Sequence, residues 1–142
     1  MFNPSREQAR QFLAEAWRKR RDRLPATALE TIAGDIVAMH PEYHALLDAP
    51  DKALEREWLP ENGETNPFLH LSLHLAIEEQ LSINQPPGIV AIYNKLLAQR
   101  GDRHEALHIM LEGLAETLWR SQRDHKPLDG AAYLELLQRA AE

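Results

Sequence analysis

The stretch NPFLHLSLHLAIEEQL, residues 66–81, decides the fold class. Asn66 followed by Pro67 is a helix start: the Asn side chain accepts from first-turn amides, and the proline ring already holds a helical φ. Apolar residues then recur at helical spacing over a run too long for an ordinary strand. Three polar side chains, His70, His74 and Glu78, enter this run four residues apart. Turning about 100° per residue from His70, His74 falls at about 40° and Glu78 at about 80°, on the arc shared by Ile77, Leu81 and Leu71. They are therefore expected to look into the protein, leaving Ser72, Glu79 and Gln80 for water.

The same spacing returns in RHEALHIMLEG as His104, His108 and Glu112, and a third pair, His40 and His44, stands in MHPEYHALL. Seven histidines placed at random would give on the order of 0.3 pairs at this spacing. The chain has three such pairs.

The rest of the chain reads as helices in the same way. Asn3–Pro4 repeats the cap-then-proline signal ahead of a stripe of Ala9, Phe12, Leu13, Ala16 and Trp17. A second helix after Pro25 carries Leu29, Ile32, Ala33, Ile36, Val37 and His40 on one face. Pro41 ends or kinks it, because its ring collides with the carbonyl four residues back. The span 47–67 is a polar, proline-bearing connection with room for one short helix. NQPPG at 84–88 terminates the helix opened at Asn66, and a shorter one follows over IVAIYNKLLAQR. Gly101–Asp102 is a stop followed by the next cap. Leu107, Leu111, Leu114 and Leu118 mark a core face over about 103–122, and Asp129 caps a last helix facing inward through Tyr133, Leu134 and Leu137. Nothing alternates with a period of two. The expected class is all-α, a helical bundle with additional short helices, in a single domain spanning 1–142.

Composition narrows the function. With 142 residues the chain can bury one sizeable core. Its zero cysteines exclude disulfides, zinc–thiolate sites and a thiol nucleophile. No signal architecture opens the sequence, and no apolar run approaches the roughly 18 residues that span a bilayer, so a cytoplasmic protein without membrane contact is expected. RKRRDR at 18–23 carries +4 against a net −6, leaving −10 on the remainder. A chain this acidic repels nucleic acid at long range, and cations at a helix C-terminus suit its dipole, so the run reads as a solvated helix end.

Imidazoles and carboxylates at these spacings are the chemistry of a transition-metal site, iron or zinc being the expected ions. Neighbours four apart on a helix can share one ion, whereas His70 to Glu78 spans roughly 12 Å of rise and is too long for one. The expected ligands are His70, His74, Glu78, His104, His108 and Glu112, with His40 and His44 behind them, and the expected role is redox, oxygen or metal sensing. The logic is similar to that of hemerythrin-type di-iron bundles, in composition and spacing. A ferritin-like site needs two ExxH motifs, and only Glu105 with His108 supplies one. The alternative is a non-catalytic protein-interaction module whose buried histidines hydrogen-bond within the protein, with a protein partner or a second copy of the chain as its ligand. No reaction is named by any of these residues.

HPEYHALL, ETNPFLHLSLHLAIEEQLSINQPPGI, the ALH of 106–108, LAETLWRSQRD and DGAAYLELL also carry a resemblance. Over nearly its full length the chain resembles an uncharacterised family of small proteobacterial proteins, a domain of unknown function. The resemblance implies a bacterial, cytosolic protein and transfers no activity.

Overall fold

The computed structural model describes residues 6–49, 58 and 66–142. The expected cap at Asn3–Pro4 and most of the polar connection at 47–67 lie outside them. Among the described residues every regular element is helical, which establishes the all-α class. The chain divides into two compact units, Met1–Leu75 and Ala76–Glu142.

The first unit holds α1 (Arg6–Arg21), α2 (Ala28–Ala38), a 3-10 turn (Pro41–Tyr43), α3 (His44–Asp48) and the first part of α4 (Pro67–Ile83). Leu24 N–H donates to Lys19 O at 2.8 Å and Arg23 N–H to Arg20 O at 3.3 Å, with Arg23 left-handed at φ 55°. These two bonds close α1 by satisfying carbonyls that a helix end leaves open. Thr27 then starts α2 with a reciprocal cap: Glu30 N–H donates to its hydroxyl at 3.1 Å, and Thr27 N–H donates to the Glu30 carboxylate at 2.9 Å.

Leu13 and Ala16 of α1 pack with Ala33, Ile36 and Val37 of α2, Leu47 of α3, and Phe68, Leu71 and Leu75 of α4. Full burial of each large aliphatic side chain contributes about 1.5–3 kcal/mol. Helices α1 and α2 approach closely at Gly34, where an added Cβ would lie 3.2 Å from the Ala16 carbonyl oxygen. Ile32, expected on the apolar face, is exposed instead. It sits about 100° round from Ala33, and Glu30 enters the protected side because its carboxylate is held by Thr27 and by Lys19 Nζ at 2.7 Å. Arg10, only 2% exposed, stacks its guanidinium 5.2 Å from the Trp58 ring and 4.9 Å from the Phe68 ring.

The basic run at the end of α1 is matched by acids of the same unit. Arg18 bonds Glu15 at 2.9 Å, Lys19 bonds Glu30 at 2.7 Å, Arg20 pairs with Asp35 at 3.2 Å, and Arg21 donates to Asp48 at 2.6 Å.

The second unit comprises the end of α4, then α5 (Ile89–Arg100), α6 (Arg103–Asp124) and α7 (Gly130–Ala140). Its apolar residues include Ile77, Ile89, Leu96, Leu107, Met110, Leu114, Tyr133 and Leu137, all nearly fully buried. Asn84 links α4 to α5. Its own backbone is left-handed at φ 50°, Gln85 N–H donates to Gln80 O at 3.0 Å, and its side-chain oxygen accepts from Gly88 N–H at 3.3 Å and Val90 N–H at 3.2 Å. The expected stop and cap are present: Gly101 is left-handed at φ 69°, Asp102 accepts from His104 N–H at 3.3 Å, and Asp129 accepts from Ala132 N–H at 3.1 Å. Gly113 admits the close approach of α7, since a Cβ there would meet Leu137 Cδ2 at 2.7 Å. Gln80, expected to face water, accepts the Tyr133 hydroxyl at 2.8 Å, because a buried phenol needs an acceptor.

Candidate metal centre

Asn66 caps α4, accepting from Phe68 N–H at 3.0 Å and Leu69 N–H at 3.2 Å, with Pro67 as the first helical residue. That start sets the rotational phase of the helix. It places His70 and His74 one turn apart, His74 buried at 1% exposure and His70 half-buried. Against them stands His40, 1% exposed, between the end of α2 and the 3-10 turn.

The three rings form a near-equilateral triangle. Centroids are 5.0 Å apart for His40–His70, 4.7 Å for His40–His74 and 4.9 Å for His70–His74, with planes crossing at 62–76°. Each ring offers one nitrogen, and these nitrogens lie within 4.8 Å of one another.

His40 Nδ1 is 2.7 Å from the Ile36 carbonyl oxygen. A carbonyl only accepts, so Nδ1 carries the hydrogen and donates it, and in the neutral ring Nε2 is the lone-pair nitrogen. That atom stands 3.2 Å from His70 Nε2, which donates to it. Two nitrogens on one tetrahedral zinc at 2.0–2.1 Å are about 3.4 Å apart, so this pair already has the spacing of neighbouring ligands. An imidazole whose second nitrogen is bonded to a backbone carbonyl is the usual condition of a metal-ligating histidine. The residues present fit an ion that accepts nitrogen donors, zinc and iron among them.

His44 is occupied differently. Its Nε2–H donates to Val37 O at 2.8 Å, and its ring stacks on Trp17 at 4.3 Å and 25°. Glu78 lies in the second unit and binds the Arg103 guanidinium at 2.6 Å. His104 and His108 are neighbours on α6, ring centroids 4.0 Å apart, and Glu112 on the same helix is exposed. Of the expected ligands, then, His40, His70 and His74 are gathered within the first unit.

Tyr43 was not singled out by spacing, yet its ring stacks on His40 at 5.6 Å and meets His70 edge-on at 6.0 Å. Burial, and secondarily the charge of Glu42, pushes its phenol above the ordinary tyrosine value, so it stays a neutral hydrogen-bond donor at neutral pH. Its position between the histidines of HPEYH was the available signal.

Among the described residues no helix is long and apolar enough to cross a membrane. Neither the curated proteins nor the solved structures return a match to this chain. Residues 5–139 match the model of a family described as Domain of unknown function (DUF1841), and with nearly its whole length covered the chain belongs to that family.

Proposed function

We propose that this protein is a metal-binding helical protein whose first unit holds a transition-metal ion through His40, His70 and His74, in a metal-, oxygen- or redox-sensing role. The observation that carries the reading is the presented His40 Nε2, fixed by the Ile36 carbonyl and 3.2 Å from His70 Nε2, with His74 completing the triangle. Zinc and iron are the ions that imidazole sets of this kind take. Glu78, His104, His108 and Glu112 are further ligand candidates on sequence spacing.

Elemental analysis of untagged protein purified from medium supplemented with iron and zinc tests it. The expected result is stoichiometric metal in the wild type and loss of metal in a His40→Ala, His74→Ala double variant. Wild-type protein free of transition metal after such growth, and after incubation with excess Zn2+ or Fe2+, ends the proposal. Absorption separates the ions, since a colourless zinc form and a coloured iron form differ by eye.

The rival reading is a non-catalytic interaction protein in which the same histidines are structural. It is favoured by one feature: His40 and His44 are both satisfied by backbone carbonyls of α2. It requires that chelators leave the melting temperature unchanged, whereas an ion bound only by the native state raises it.

A further inference from the structure

The sequence HPEYH offers two histidines at ligand spacing, and the end of α2 separates their roles. In a continuing helix, Ile36 O would accept from the amide of residue 40 and Val37 O from that of residue 41. Proline at 41 has no amide hydrogen, and its ring would collide with the Val37 carbonyl. The helix therefore stops, and the backbone tightens: His40 N–H donates to Val37 O at 2.9 Å and Met39 N–H to Ile36 O at 3.1 Å. Both carbonyls retain a second lone pair, and each takes an imidazole. Ile36 O accepts His40 Nδ1–H at 2.7 Å; Val37 O accepts His44 Nε2–H at 2.8 Å.

The two neutral rings are thus held in opposite tautomers. His40 turns its Nε2 lone pair toward His70. His44 spends its Nε2–H on α2, and its ring is clamped against Trp17, whose indole N–H is itself anchored on Asp48 at 2.8 Å. The intervening residues form the 3-10 turn Pro41–Tyr43, so fixing residue 44 on α2 fixes the turn that carries His40.

We propose that Pro41 and His44 are positioning residues: together they fold the 3-10 turn back on α2 and hold His40 as the Nδ1–H tautomer, with Nε2 aimed at the histidines of α4. His44 is a brace and contributes no bond to the ion. The affinity part of this inference rests on the metal reading above, and the tautomer part does not.

The test uses the full chain, 15N-labelled, with cobalt(II) as the probe ion. In metal-free wild type, long-range 1H–15N spectra at a pH where the ring is neutral are expected to show His40 with the hydrogen on Nδ1. His44→Ala and Pro41→Ala are expected to shift it toward the Nε2–H form favoured in water. Cobalt affinity is expected to fall about tenfold or more in both, the usual effect of losing an outer support. X-ray absorption should still count the same number of imidazole donors and one ion per chain. His44→Gln keeps an N–H donor at this position and is expected to restore the tautomer and part of the affinity; it also serves if the alanine variant fails to fold.

An unchanged His40 tautomer with unchanged cobalt affinity in both His44→Ala and Pro41→Ala overturns the inference. So does the loss of one imidazole from the donor set in His44→Ala, which makes His44 a ligand. Should wild type take up no cobalt, the metal reading falls, and the tautomer spectra of the same variants alone support or overturn the positioning roles.

Discussion

Arg23 occupies left-handed backbone at φ 55° without glycine's freedom to do so. A side chain with a Cβ is strained there by about 1–2 kcal/mol, so Arg23→Gly is expected to make the protein more stable by about 0.5–1 kcal/mol after the extra entropy of glycine in the unfolded chain. Asn84, at φ 50°, provides the contrast. Its side-chain oxygen accepts the Gly88 and Val90 amides at the start of α5, bonds worth about 0.5–1.5 kcal/mol each, and asparagine is little strained in this backbone, so Asn84→Gly is expected to lower stability by about 1 kcal/mol. Urea denaturation of the two variants checks both signs. At this scale the inward aim of His70 and His74 could be read from sequence, because helical phase follows from Asn66 and Pro67. The tautomer of His40 could not, since it depends on a carbonyl whose helical donor is displaced only in the folded chain. Gln80 escaped for a related reason: its partner Tyr133 is 53 residues away.

Elements were legible wherever a terminus is written in side chains. Asn66, Asp102 and Asp129 cap as their residue types demand, and Pro41 ends α2 by steric exclusion. Helix ends that place Arg23 or His125 in left-handed backbone left no such mark, because glycine is the residue expected there. Packing between elements leaves its trace in Gly113. A glycine inside a helix costs about 1 kcal/mol relative to alanine, and it persists because α7 brings Leu137 to where a Cβ would stand. Gly113→Val is expected to destabilise the second unit by about 1–3 kcal/mol through overpacking. Thermal melting and near-ultraviolet dichroism of the variant, compared with wild type, measure the effect.

For the chain as a whole, charges pair within each unit: Lys19 with Glu30 and Arg21 with Asp48 in the first, Arg103 with Glu78 and Arg120 with Glu116 in the second. The Trp17 indole N–H and then the Arg21 guanidinium hold the Asp48 carboxyl below its usual range, and Lys19, then the Thr27 amide, do the same for Glu30. Carboxyls that are more acidic when folded bind protons better in the unfolded chain. Their stabilisation is complete above the ordinary carboxylate values, and is lost as pH falls below about 4 through the lower folded ones. The urea midpoint is therefore expected to drop on that limb, and an Asp48→Asn, Glu30→Gln double variant should be less stable at pH 7 with a flatter acid limb. The run at 18–23 looked like a solvated helix end in sequence; its acidic partners Asp35 and Asp48 come from helices that only the fold brings alongside. Metal acts at this scale too: an ion at about a hundred times its dissociation constant is expected to add about 2.7 kcal/mol, raising the melting temperature by roughly 8 °C, and excess chelator should reverse the change.

His40 and His70, whose ring nitrogens meet, are 30 residues apart in a chain that has no cysteine. An atom gripped by both would close that span into a ring, and a ring of this size restricts the denatured chain by about 3–4 kcal/mol, the scale of a disulfide. The first unit would then possess a bridge indifferent to reductants and undone by chelators, so its connectivity would follow metal supply instead of thiol chemistry.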